Sequence, residues 1–136
     1  MKGERVAKSK ENESRKVDSS GRFSYQGLDR ALHEKARLGI MTSLLTHPDG
    51  VTFNDLKTLC ELTDGNLNRH LDVLQDEGFV TLTRQTGSGR PTTSCQLTSS
   101  GRKKFLAYLE ELQRVIADAN AAVDVRPGLA PKFRLS

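Results

Sequence analysis

Aromatic residues are scarce in this sequence: tryptophan is absent, and aromatics make up 5% of the 136 residues. The longest unbroken apolar run is also short, extending over five residues from Phe105 to Leu109. A helix that spans a bilayer needs about 20 apolar residues, and the apolar region of a secretory signal needs about 7–15. We therefore expect no signal peptide and no membrane partner.

Cysteine is equally rare, since Cys60 and Cys95 are the only two. Their separation of 35 positions fits neither the paired thiols of a zinc site nor a disulfide framework. The sequence also lacks a phosphate-binding loop and a recognisable pair of nucleophile and base. We expect no metal, no cofactor and no enzymatic activity, and we expect Cys95 to be a buried strand thiol. The lack of a disulfide framework favours a cytoplasmic location.

The net charge of +4 is unevenly distributed along the chain. Residues 1–25 carry +3, residues 26–83 carry −4, and residues 105–136 are neutral. Residues 84–104 contain five basic residues and no acidic one. The positive field is therefore concentrated in one short internal segment.

Apolar residues at helical spacing predict a first helix from Leu28 to Leu45. Thr52 and Thr63 are typical N-caps for a second helix to Cys60 and a third that ends at Gly78. From Phe79 the pattern changes to that of two β-strands joined by a glycine-rich tip, and Thr98 then caps a last helix to about Val123. Val51 is a candidate for one additional short strand pairing. Residues 1–24 lack any apolar period.

A helix-turn-helix followed directly by a hairpin is typical of a winged helix. We therefore predict a mainly α fold with a small β-hairpin and a long C-terminal helix. The predicted organisation is a disordered tail over 1–24, a winged helix-turn-helix DNA-binding domain over 25–98, a dimerisation helix over 99–124 and a flexible tail over 125–136.

The third predicted helix places three leucines on one face and polar residues on the other. In a helix-turn-helix the N-terminal half of this helix enters the major groove, where arginine pairs with guanine and asparagine with adenine. The wing and the start of the last helix supply cations for phosphates and the minor groove. Asp72, one turn from Arg69, is expected to orient it or to accept a hydrogen bond from cytosine. The candidate DNA-binding residues are Thr63, Gly65, Asn66, Asn68, Arg69, Arg84, Arg90 and Lys103.

The last predicted helix carries a heptad seam, which is typical of helices that associate with one another. At about 25 residues this helix is about 38 Å long, more than the small domain can cover. We therefore predict a homodimer, with packing against the first helix of the same chain as the alternative. The candidate dimerisation residues are Phe105, Leu109, Leu112, Ile116, Ala119 and Val123.

Two strings carry a family resemblance: LTDGNLNRHLDVLQDEGFV and, after it, GSGRPTTSCQLTSSGRKKFLAYL. They resemble the small MarR/ArsR-like winged-helix transcriptional regulators over about residues 27–112. The resemblance implies a dimeric regulator that binds a specific double-stranded DNA sequence, usually as a repressor, and it points to Thr63, Asn66, Arg69 and Arg90. The sequence departs from the family pattern at Asn68, where serine is usual, and at Asp72, where a basic residue is common. No effector ligand is assigned from these residues.

The third predicted helix also supports an alternative function. It carries four acidic residues and one arginine, a net charge of −3, which is unusual for a surface that approaches phosphates. This charge favours a winged-helix module whose acidic helix binds a protein without reading DNA. Retention of duplex DNA at low salt distinguishes the two functions.

Overall fold

The computed structural model describes residues 17–87 and 89–124. Within these ranges the chain forms four helices and a small antiparallel sheet. The elements are α1 (Lys35–Leu45), β1 (Val51–Thr52), α2 (Phe53–Cys60), α3 (Asp64–Asp76), β2 (Val80–Gln85), β3 (Thr92–Leu97) and α4 (Ser99–Asp124). This order confirms the predicted winged helix with its long C-terminal helix.

The first helix begins later than its apolar pattern predicts. Residues 28–34 form turns, in which the carboxylate of Asp29 accepts a hydrogen bond from the backbone N–H of Ala31 at 2.8 Å. Glu34 then adopts an extended conformation, and its side chain accepts from Arg37 N as the N-cap of α1. Leu32 is nonetheless fully buried. The predicted start at Leu28 was therefore wrong. Asp29 and Glu34 accept hydrogen bonds from nearby backbone N–H groups, and the helix begins only after Glu34, while the side chain of Leu32 still enters the core.

The helix-turn-helix is defined by threonine caps, as predicted. The side chain of Thr52 accepts from Asp55 N at the start of α2, and that of Thr63 accepts from Asn66 N at the start of α3. Between the two helices, Glu61 takes the left-handed conformation, with φ of 53°. Gly78 follows α3 with φ of 79°, which a glycine adopts without steric cost.

The sheet has the strand order β1-β3-β2 and is antiparallel throughout. Val51 pairs with Cys95, so the single short strand pairing predicted at Val51 is confirmed. β2 and β3 pair from Val80 opposite Leu97 to Gln85 opposite Thr92, and the tip of the wing follows Gln85.

One core joins all of these elements. It is built from buried side chains of every helix and of the sheet, among them Leu32, Ile40, Met41, Leu44, Val51, Leu56, Leu67, Leu71, Leu74, Phe79, Val80, Cys95, Phe105 and Tyr108.

The segment before α1 lies along α4. Tyr25 donates its hydroxyl proton to Asp118 at 2.6 Å, and the backbone N–H of Gly27 donates to Glu111 at 3.1 Å. Residues 17–24 precede these contacts and have exposed side chains. The rest of the tail predicted over 1–24, and the tail predicted over 125–136, lie outside the described residues.

The wing is joined to α4 by a close backbone contact at Gly101. A Cβ atom on Gly101 would overlap the carbonyl oxygen of Phe79 and would lie 2.7 Å from its carbonyl carbon. That oxygen also accepts a hydrogen bond from Thr98 N at 3.0 Å, while Gly101 N donates to Thr98 Oγ1 at 2.8 Å. Only glycine fits here, because backbone atoms cannot move aside as a flexible side chain can.

We expect Gly101→Ala to lower the free energy of unfolding by at least about 2 kcal/mol, because the methyl group overlaps backbone. Gly65→Ala is the matched control, since Gly65 also lies in the first turn of a helix but a Cβ added to it would have no other atom within 4 Å. That control should raise stability by about 0.5–1 kcal/mol, since alanine favours helix. Urea unfolding followed by circular dichroism measures both, and equal effects of the two substitutions would contradict this account.

Candidate nucleic-acid interface

The exposed face of α3 carries the polar residues that the sequence assigned to DNA. Thr63, Gly65, Asn66, Asn68 and Arg69 are all exposed. On the opposite face the leucines are 0–2% exposed. The buried residues of this helix are Leu67, His70, Leu71 and Leu74. The structure therefore places the five candidates together on one solvent-facing surface at the N-terminal half of the helix.

Thr63 gives this surface a hydrogen-bond donor. Its oxygen accepts from Asn66 N at 3.2 Å, while its hydroxyl proton remains available to an incoming acceptor. The first N–H groups of a helix lack intrahelical partners and carry partial positive charge. An anionic oxygen is therefore favoured at this end of α3.

Arg69 is held by a neighbour on its own helix. Its Nη2 donates to Oδ1 of Asn66 at 3.0 Å, across one turn. Asp72, which was expected to orient Arg69, forms no hydrogen bond to it in the described part of the chain. Asn66, on the N-terminal side of Arg69, provides the acceptor instead, and the alternative role of Asp72, a hydrogen bond from cytosine, stays a prediction.

The acidic charge at the start of α3 is balanced from α2. Lys57 Nζ lies 2.6 Å from Asp64 Oδ1, so one of the four acidic residues of this helix and its C-cap is paired. Sequence reasoning missed Lys57, although a basic residue in the last turn of α2 was a usable signal. Asp72, Asp76 and Glu77 remain exposed further along the helix and after its end.

The predicted cations of the wing and of α4 are exposed on three separate elements. Arg84 lies in β2 opposite Thr93, Arg90 lies at the tip after Gly89, and Lys103 lies in the second turn of α4. In residues 17–87 and 89–124, none of these three cations forms an ion pair with an acidic side chain. Their charge is therefore available to an external anion.

His70 links α3 to the start of α1. It is 9% exposed, and its Nδ1 lies 3.9 Å from Oε1 of Glu34. The backbone hydrogen bond from Arg37 is the main cause that lowers the pKa of Glu34, with His70 adding to it. The position of His70 beside the leucine face was the available signal for its burial.

The predicted seam of α4 divides into two parts. Phe105 is fully buried in the core of its own chain, so its assignment to a dimer interface was wrong. Leu109 and Leu112 are half-buried and pack against the same core. Beyond them Ile116 and Val123 are half-buried and Ala119 is exposed, which leaves this part of the seam open to solvent.

The two cysteines differ in their surroundings. Cys95 lies within β3 with no exposure, and burial raises the pKa of its thiol to about 11. Cys60 is half-buried at the end of α2.

Across the described ranges, no three His, Cys, Asp or Glu side chains come together as metal ligands. In the same part of the chain, no helix has the length and apolar character needed to cross a membrane.

Residues 36–116 match the winged helix DNA-binding domain family, and the chain belongs to that family. The solved structures that it resembles include that of a transcriptional regulator homologue.

Three similar proteins show how far the sequence and the fold are shared. A transcriptional regulator homologue from Pyrococcus horikoshii OT3 is 31% identical, with a TM-score of 0.63 over 67% of this chain and 89% of that chain. MJ0432, an uncharacterised protein of Methanocaldococcus jannaschii, is 42% identical over 44% of this chain, which spans 65% of that protein's length. MepR of S. aureus, solved as a complex with DNA, is 20% identical and has a TM-score of 0.56 over 74% of this chain and 84% of that chain.

We expect Cys95 to resist alkylation at pH 8 in the folded chain. A thiol with a pKa of about 11 is almost fully protonated at pH 8, and this thiol is also buried. Cys60 should react first with iodoacetamide, since its side chain is partly accessible. Mass spectrometry of time points from native protein measures both rates, with urea-unfolded protein as the control. Equal modification of both cysteines in the native chain would contradict this assignment.

Proposed function

We propose that this chain is a non-catalytic transcriptional regulator that binds a specific double-stranded DNA sequence as a homodimer in the cytoplasm, and that it acts as a repressor. The observation that carries the proposal is the exposed polar face of α3, where Asn66 and Arg69 are hydrogen-bonded to each other at 3.0 Å. The opposite face of the same helix is fixed in the core.

Base reading is assigned to the N-terminal half of α3. The guanidinium of Arg69 can donate to O6 and N7 of a guanine, and the side-chain amides of Asn66 and Asn68 suit the N6 and N7 edge of an adenine. Gly65 has no side chain, so the backbone can approach the groove closely. Thr63 can donate its hydroxyl proton to a phosphate beside the same base pairs.

Phosphate binding is assigned to the wing and to α4. Arg90, at the tip, has the position and charge to enter a minor groove, where arginine is favoured when the groove is narrow. Arg84 and Lys103 supply the flanking positive charge. This division is supported by the acidic character of α3, which cannot itself provide the electrostatic attraction.

Homodimerisation is supported by the length and the exposed seam of α4. The helix has 26 residues and therefore extends about 39 Å. Its partly exposed residues Ile116, Ala119 and Val123 would gain burial against a second copy. A two-fold dimer would then present two copies of α3 to successive major grooves about 34 Å apart.

The exposed acidic residues in the second half of α3 favour one other function, that of a protein-interaction module. At the opposite end of α3, which faces DNA in the proposed complex, the ion pair with Lys57 reduces the negative charge of Asp64. Failure of the full chain to retain any duplex at low salt would support the alternative and overturn the proposal.

We expect Arg69→Ala to weaken binding to the selected operator duplex by about 1–3 kcal/mol and to relax discrimination at one guanine, because a bidentate base contact is lost. Fluorescence anisotropy with the operator and with single-base variants measures both effects. Arg30→Ala, which removes another exposed arginine, is the matched control. Unchanged discrimination in Arg69→Ala would rule out its role in base reading.

Arg90→Ala should behave differently from Arg69→Ala. We expect it to weaken binding to all sequences by a similar factor and to reduce the slope of log K against log salt by about 1, because one phosphate contact is lost. Anisotropy titrations at several salt concentrations give this slope. A loss of affinity confined to one sequence would show that Arg90 reads a base.

We expect Ile116→Glu to convert the dimer to a monomer, because a carboxylate would be buried in the open part of the seam. Ala121→Glu, on the exposed side of the same helix, is the matched control. Analytical ultracentrifugation measures both variants against the parent chain. A monomeric parent chain, or a dimer that survives Ile116→Glu, would contradict the proposed interface.

A further inference from the structure

Residues 21–33, which we call the strap, connect the start of α1 to the outer part of α4. Tyr25 donates its hydroxyl proton to Oδ2 of Asp118 at 2.6 Å, and the backbone N–H of Gly27 donates to Oε2 of Glu111 at 3.1 Å. Glu111 is 8% exposed, so its carboxylate is buried where the strap contacts the helix. The strap therefore lies along about two turns of α4.

The inner end of the strap is fixed in the domain. Leu32 is fully buried, and Nδ1 of His33 lies 2.6 Å from the hydroxyl oxygen of Tyr108, which is itself fully buried. The next residue, Glu34, is the N-cap of α1, and α1 packs against α3. The strap therefore joins the outer part of α4 to the elements that carry the candidate DNA surface.

The outer half of α4, residues 113–124, extends past the core. Leu112 is the last apolar residue of this helix that packs against the core in the described range, and no side chain of residues 113–123 is buried. This half is about 18 Å long, so a tilt of roughly 10° moves its end by about 3 Å. That displacement is close to the rise of one base pair, about 3.4 Å. Contacts that fix the direction of this half therefore matter at the scale of DNA spacing.

Tyr25 is held in a strained conformation at the outer end of the strap. Its φ of 48° lies in the left-handed region, which costs a residue with a Cβ atom about 1–2 kcal/mol. The hydrogen bond to Asp118 is the main cause that raises the pKa of the Tyr25 hydroxyl above its ordinary value, so the phenol keeps the proton that it donates. Removal of this hydrogen bond takes away a contact that offsets the strain.

We propose that Tyr25 is a positioning residue: through its hydrogen bond to Asp118, the strap fixes the direction of the outer half of α4 relative to α1 and α3. In the homodimer, a consequence that rests on the proposed function, this direction sets the separation of the two α3 helices and so the spacing of half-sites that the protein accepts. Asp118 lies about 140–160° around the helix from Ile116 and Val123, so the strap leaves the open part of the seam free.

The direction of α4 is measured without DNA, by N–H residual dipolar couplings of the full chain. In the parent chain, the couplings of α1, α3 and residues 113–124 should fit one common orientation. Tyr25→Phe removes only the hydroxyl group and should abolish this common fit, because the outer half of α4 then samples several directions. Urea unfolding of the same variant shows that the domain remains folded.

Two substitutions of Asp118 separate the hydrogen bond from the packing around it. Asp118→Ala removes the acceptor and should reproduce the effect of Tyr25→Phe. Asp118→Asn is the matched control, because its side-chain oxygen can still accept from the tyrosine hydroxyl, and it should retain the common orientation.

Half-site spacing gives a readout that a loss of stability alone would not change. Anisotropy compares the selected operator with duplexes whose half-sites lie one base pair closer or further apart. The parent chain should prefer the selected spacing by about tenfold or more, and Tyr25→Phe should reduce this ratio to about two- to threefold. Affinity for a duplex with a single half-site should be unchanged, because the surface of α3 is intact.

A common orientation retained in either Tyr25→Phe or Asp118→Ala would overturn the role of Tyr25, as would equal effects of the two Asp118 substitutions. Loss of the common orientation with an unchanged spacing ratio would refute only the connection to DNA. Loss of the common orientation in a chain that retains no duplex would support the strap and refute the proposed function instead.

Discussion

Burial of the leucine face of α3 holds this helix in the core and determines which of its side chains face solvent. Leu67, Leu71 and Leu74 are at most 2% exposed, and each buried leucine contributes about 1.5–3 kcal/mol by leaving water. Because a helix has 3.6 residues per turn, fixing these three side chains in the core directs Asn66 and Arg69 to solvent. The surface proposed to read DNA is therefore a consequence of how the domain packs.

The position of the wing depends on a second packing constraint. Gly101 allows α4 to contact the backbone of Phe79, where β2 begins, and this contact ties the wing strands to the long helix. The wing in turn carries cations without acidic partners in the described ranges, while α3 carries exposed carboxylates. Attraction to phosphates and discrimination between bases are thus assigned to different elements, which favours weak binding to random DNA and selective binding to one operator.

Local features of the fold could be predicted from sequence, because a cap or a turn depends on a few adjacent residues. Thr52, Thr63 and Thr98 all cap helices as their positions predicted. The start of α1 was placed too early, since apolar spacing reports burial and not backbone conformation. Phe105 was assigned to a partner for a related reason: a heptad period is the same for a residue that packs within its own chain and one that packs against another.

The hydrogen-bond and ion-pair partners of the side chains at the candidate site could not be predicted from local sequence in the way that the caps could. Asn66 and Asp72 both lie three residues from Arg69, on opposite sides, and spacing alone does not decide which one holds the guanidinium. The Lys57–Asp64 pair joins two helices across a turn whose geometry depends on the left-handed conformation of Glu61.

Sequence-specific DNA binding by a dimer can be measured by selecting, with the full chain, the duplexes that it binds from a random pool. Two inverted copies of a short sequence should be enriched, with centres about 10 base pairs apart and a guanine in each copy. A pool that stays random after repeated rounds at low salt would contradict it.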